Sequence, residues 1–343
     1  MFKVKVFENI IDFEFSESEI LTLDTNNKCQ LISKVDFSVI EQLSFEEKIQ
    51  NNIKFENDFI LNDIYGKGYL IENHKKKAFD FYLLKKENNL ILGIKNGLFL
   101  TLNLNTNREK IIPIPKSLVF FLEDNILYTR QGKRNEAHKL NSYDLYNDKH
   151  LWVFDLNDLG LPISRSSNNP KANWKIVKII GTTENDIWLA LNHHTIISLN
   201  KNNGGLTNHI SEIPTLQCEW LPSAIPKPEN SVIRNDKVFG LAWEFIWEIN
   251  SLNGEVEFQD LTKELISSNS RNDLNNFCEI NNKIVFVSKT PSKINLFDIK
   301  SKKIVWEKEF DKVNNETPIF NNLKGNKSMF GVLGLNRKLF IYY

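Results

Sequence analysis

The chain has 343 residues, with 43 Lys and Arg against 43 Asp and Glu and an apolar content of 41%. A formal charge of zero excludes global electrostatic attraction to nucleic acid or to an anionic membrane, and no apolar run approaches the ~20 residues of a membrane-spanning helix. The three cysteines, Cys29, Cys218 and Cys278, are scattered and odd in number, and residues 1–15 carry no signal-peptide core, so the expected setting is the reducing cytoplasm.

Apolar segments are short, rich in β-branched and aromatic residues, and bounded by turn formers, which are strand signals. In chain order they begin with Phe2–Phe7, Ile10–Phe15, Ile20–Asp24 and Cys29–Ser33, four strands of a first unit. The segment from Ile40 to Gln50 follows, where EQLSFEEKIQ fits a strand or a short helix. A full four-stranded meander runs through Phe79–Leu84, Leu90–Ile94, Leu98–Asn103 and Lys110–Ile114. The next unit repeats it with Leu118–Leu122, Ile126–Thr129, Lys139–Asp144 and His150–Phe154. Later units are Trp174–Gly181, Ile187–Leu191 and Thr195–Asn200; then Val238–Trp243, Phe245–Asn250 and Val256–Gln259; then Phe277–Ile280, Ile284–Val287, Ile294–Asp298 and Ile304–Phe310. The chain closes with Thr317–Phe320, Met329–Gly334 and Lys338–Tyr343, three strands lacking a fourth, which Phe2–Phe7 is free to supply. Paired asparagines such as Asn26-Asn27, Asn88-Asn89 and Asn281-Asn282 fall between these strands, as expected of a residue that tolerates left-handed backbone in tight turns.

A nine-residue pattern recurs: Asp or Asn, two variable residues, turn formers, often Lys, and an apolar residue eight places on. Its clearest copies run from Asp144 to Trp152 and from Asp298 to Trp306; weaker ones start at Asp24, Asp63, Asn103, Asn200 and Asn250. The starts lie 39 to 41 residues apart up to Asp144 and 48 to 56 apart beyond it, the period of one propeller blade. The expected fold is all-β: one β-propeller domain over 1–343, of seven or eight four-stranded antiparallel blades, with 38–77 either a weak blade or an insertion. At each anchor the Asp or Asn is expected to cap the turn between third and fourth strands, and the apolar eighth place to plug the gap between blades.

The form at Asp144–Trp152 and Asp298–Trp306 resembles the repeat of the pyrroloquinoline-quinone-like, or quinoprotein-like, β-propeller superfamily, across most of the chain as a degenerate pattern. That resemblance implies either a quinone-dependent dehydrogenase or a non-enzymatic assembly or scaffold protein. The dehydrogenases are exported and carry adjacent cysteines at the cofactor; this chain has no Cys-Cys pair, so no cofactor is expected.

Residues that could carry chemistry are sparse. His193-His194 on a strand would point to opposite faces and so not share a metal; His74, His138, His150 and His209 are isolated in sequence. No metal site is expected. Lys324–Ser328 (KGNKS) lacks phosphate-loop spacing and reads as a surface turn; Asp155–Gly160 lacks the closing Glu of a calcium loop. The basic clusters His74–Lys77 and Arg130–Lys139 lack aromatic interleaving and read as solvated turns.

Long loops on a rigid scaffold are where binding resides. Three fall in consecutive blades, Gln131–His138, Asn157–Asn173 and Glu212–Asp236, at the end opposite the anchor turns. They contain Lys133, Arg134, Arg165 and Trp220, with Trp174 at a loop exit, as candidate partner-binding residues. The expectation is a non-catalytic cytoplasmic propeller that binds a protein partner through this face, in one version an immunity or antitoxin-type protein masking a toxin. The alternative is an enzyme or binding protein for a small molecule or glycan at the central channel.

Overall fold

The computed structural model describes residues 2–131, 137–162, 173–213, 225–272, 276–289, 292–310 and 319–343. Their strands form eight four-stranded antiparallel sheets, and one short α-helix, Thr262–Ser267, lies among them. The fold is an eight-bladed β-propeller, the larger of the two blade numbers the repeat allows. The segment that fits either strand or helix is strand: Val39–Ser44 is the fourth strand of the first blade, and 54–79 forms a blade of its own. Within a blade the middle strands are buried and the last strand is exposed, as in Lys75–Phe79 and Lys303–Glu309. The lysines and glutamates of these outer strands discourage pairing with a further strand. Lys75, Lys76 and Lys77 thus belong to a strand, and of the expected basic turn only His74 is in a turn, which it forms with Asn73, both at positive φ.

The asparagines do what their backbone tolerance predicts. Asn88, Asp124-Asn125, Asn235-Asp236 and Asn281-Asn282 all have positive φ between first and second strands of their blades. Two such residues in succession define the type I′ turn, whose twist matches a β-hairpin.

Two compact units make up the chain, one of 1–96, 100–110 and 263–343, the other of 97–99 and 111–262. In the first, Val4–Phe7 is not the opening strand of the first blade. It pairs with Leu339–Tyr342, Val4 opposite Tyr342 and Phe7 opposite Leu339, and supplies the fourth strand of the last blade. Phe2 then meets Trp306, Phe330 and Tyr342 edge-on, with ring centroids at 5.1, 5.4 and 6.5 Å.

This shifts the phase of the first two repeats. The Asp24 and Asp63 turns join second to third strands, whereas those at Asn103, Asp144, Asn200, Asn250 and Asp298 join third to fourth as expected. The side chains record the difference. Asp24 and Asp63 accept through Oδ1 from the backbone N–H two and four residues on; Asn103, Asp144 and Asn200 accept from those two and three on.

The apolar eighth place acts as a wedge at Trp152. Its Nε1 donates to the carbonyl of Lys201 in the neighbouring blade at 2.9 Å, and its ring covers Gly204, where a Cβ would lie 2.7 Å from ring carbons. Ile111 departs from the pattern, being 57% exposed, because its place in the long outer strand Arg108–Pro115 faces away while Ile112 and Ile114 are buried.

The KGNKS segment is not simply a surface turn. Lys324 lies in the strand Phe320–Gly325 and clasps the first strand of the first blade, donating to Asp12 Oδ1 at 3.1 Å and to the Phe13 carbonyl at 2.6 Å. Asp12, 3% exposed, also accepts from Ile53 N–H through Oδ2 at 2.8 Å. Asp12→Ala leaves a buried N–H and an ammonium without this acceptor, and should cost about 3 kcal/mol, the low end of the range because Lys324 retains Glu14 at 3.3 Å. Urea denaturation should show Asp12→Ala/Lys324→Met losing less than Asp12→Ala alone; a larger loss in the double variant would refute the clasp.

Candidate functional site

The three long connections all belong to the second unit. They join Ile126–Arg130 to Lys139–Asp144, Lys149–Asp155 to Ile176–Thr182, and Leu206–Ile210 to Ser231–Arg234. In an antiparallel meander the second-to-third turn and the blade-to-blade crossing emerge at the same end, so their roots converge. The convergence is hydrogen-bonded. Ile176 N–H donates to Ala137 O at 3.0 Å and Leu156 N–H to His138 O at 2.9 Å, while Arg130 Nη1 donates to Ile176 O at 2.8 Å.

At the same end of the blade that Ile176–Thr182 opens lies His193-His194. The pair is not on a strand: both residues have positive φ, 59° and 58°, and form the turn between Asp186–Leu191 and Thr195–Asn200. Asn192, just before it, donates from Nδ2 to Asn173 O and accepts from Lys175 N–H, at 2.9 and 2.8 Å. His194 Nδ1 lies 3.1 Å from Ile225 O. One turn therefore ties the end of the second connection to the third.

Trp174 is buried, 5% exposed, with Nε1 donating to Gly160 O at 2.9 Å. His193 and His209 approach it edge-on, with centroids at 5.8 and 6.0 Å. Together with Leu159, Leu161, Thr195 and Ser211 they line a cavity of about 190 Å³. Burial pushes the His193 imidazole below its ordinary 6.5, and neighbouring His194 pushes it further; partial desolvation lowers the more exposed His209 too. Both rings thus favour the neutral form at pH 7. Among the described residues, His193 Nε2 is buried without a hydrogen-bond partner.

Of the candidate partner-binding residues, Lys133, Arg134, Arg165 and Trp220 lie outside the described residues, and Trp174 is a cavity wall, not an exposed anchor. The structure brings Trp174 together with His193 and with His209, which is isolated in sequence. His209 could have been found only through its strand position opposite Ile197. Leu159 and Leu161 had no sequence signal. Among the described residues, no three of His, Cys, Asp or Glu gather as metal ligands, and no helix is long and apolar enough to cross a membrane.

No protein-family model matches this chain, and no curated protein matches its sequence. Solved structures resemble it over nearly full length. BamB from Moraxella catarrhalis superposes with a TM-score of 0.58 at 10% identity, covering 99% of this chain and 98% of that one. The C-terminal WD40 domain of Sif2 gives a TM-score of 0.64 at 11% identity, covering 100% and 98%. The computationally designed Ika8 protein gives 0.61 at 10% identity, covering 98% and 96%. At these identities the likeness defines the class, β-propeller, and leaves function to the site.

On unfolding, His193 and His209 return to an ordinary 6.5. Between that value and their depressed folded values the unfolded chain binds more protons, so stability falls as pH falls through this window. His193→Gln and His209→Gln should each flatten the decline in melting temperature on acidification from about pH 7.5 to about pH 5. A double variant with an undiminished slope would show that other groups carry it.

Proposed function

We propose that this chain is a non-catalytic β-propeller that binds a protein partner at the end of its second unit where the three long connections meet. The observation that carries this reading is the set of hydrogen bonds that ties their roots to the blade of Ile176 and its 192–194 turn. A propeller holds such roots rigidly, which fixes where the connections they carry begin and end and lowers the ordering cost of binding. The sequence places Lys133, Arg134, Arg165 and Trp220 on those connections, and Arg and Trp are the residue types that dominate interface energies. The cavity beneath the turn supports binding over catalysis: among the described residues its two histidines sit against tryptophan and leucine, not beside a carboxylate that would orient them as bases.

The Asp144–Trp152 and Asp298–Trp306 repeats place the chain, in this reading, with the quinoprotein-like propellers in their non-enzymatic role. The partner is proposed to be met in the cytoplasm, where the free thiols Cys29 and Cys278 stay reduced. An immunity-type protein that masks a toxin is one form of this proposal.

Affinity capture with immobilised wild-type protein and with Arg134→Glu/Arg165→Glu tests it. A specific partner should be retained at least about tenfold more weakly by the double charge reversal, and unchanged by Lys75→Glu on an outer strand of the other unit. Full retention by the double variant would count against this face.

A further inference from the structure

We propose that the cavity under the His193-His194 turn seats a single tyrosine side chain of the protein partner; this rests on the partner-binding reading above. Size decides first. About 190 Å³ falls short of the roughly 300–1,000 Å³ of small-molecule and cofactor sites, yet is several times the roughly 30 Å³ of one water. It fits one ring-bearing side chain.

Charge decides next. No Lys, Arg, Asp or Glu is among the described lining residues, and partial desolvation holds both imidazoles below their ordinary range, which favours the neutral form. An ionised occupant would lose its hydration with nothing to replace it, so the occupant is neutral. Its body is apolar, because Leu159, Leu161 and Trp174 form the walls, and an aromatic ring gains edge-to-face contact with the indole.

The remaining wall is polar. His209 is exposed and its ring makes no hydrogen bond with a described residue, and His193 Nε2 is likewise unpartnered among the described residues. A phenol both donates and accepts, so it satisfies an imidazole in either tautomer. Phenylalanine would leave these nitrogens unpaired; tyrosine pairs one of them, and it is a residue type enriched at interface hot spots.

The test uses the full chain with ¹³C-labelled histidine, its imidazole resonances assigned through His193→Gln and His209→Gln, titrated with p-cresol and with toluene as side-chain analogues. The expected result is saturable movement of the His193 and His209 signals by p-cresol, with toluene binding at least roughly fivefold more weakly, the worth of one hydrogen bond. Leu161→Asp, at a rim position that is 87% exposed, should weaken p-cresol at least tenfold without lowering the melting temperature. Absence of saturation at these two histidines, equal binding of toluene, or an unaffected Leu161→Asp variant would each overturn the proposal. These readouts need no partner, so their failure leaves the loop-face reading standing. Conversely, normal p-cresol binding together with full-strength capture of the partner by Leu161→Asp would remove the tyrosine from the interface and overturn the assignment to the partner.

Discussion

Pairing between the first and last strands is the constraint on which the last blade depends. Without Val4–Phe7, that blade would keep three strands and expose the edge of Leu339–Tyr342, a template for unwanted pairing. Bringing together strands from opposite ends of the chain is entropically tolerable, because closure cost grows only with the logarithm of loop length. It must still be met by local contacts. Here the ladder is reinforced by the aromatic cluster of Phe2, Trp306, Phe330 and Tyr342, in which Phe330 and Tyr342 stack at 4.9 Å. The Asp12 and Lys324 clasp holds the neighbouring first strands. Trp306 has two functions in this cluster: it ends one of the two clearest copies of the repeat, and its ring packs on Phe2, which leads into the strand that completes the last blade.

The same local chemistry serves turns at different places in a blade. A carboxylate or amide that accepts nearby backbone N–H groups forms an Asx turn wherever two strands meet tightly. Asp24 and Asp144 therefore look alike in sequence, yet one joins second to third strands and the other third to fourth. The information that separates them is which strands pair, and this depends on where Val4–Phe7 is placed. The hydrogen-bond spacing at Asp24 and Asp63 differs with their place in the blade.

The candidate site was partly legible. Three long connections in consecutive blades stood out from spacing alone, and the turn-forming character of asparagine was read correctly at Asn88 and at Asn281-Asn282. His193-His194 was misread because adjacent residues on a strand diverge, whereas the positive φ of both residues puts them in a turn. Trp174 stood out as a large aromatic at a loop exit. Whether its ring faced a partner or the blade was beyond sequence, since it hangs on one hydrogen bond to Gly160 and on His209, which lies 35 positions away in the chain.

What the sequence by itself determined is the local grammar: short strands, Asx turns, left-handed asparagines, the Asp-to-Trp repeat and hence an all-β propeller. These follow from interactions within a few residues, so the information lies in adjacent letters. Tertiary structure alone decided the count of eight blades, the phase of the first two repeats, the burial of Lys324 against Asp12, and the meeting of Trp174, His193 and His209. Each of these depends on contacts between segments remote in the chain, whose register is selected by competition among many apolar strands for the same partners.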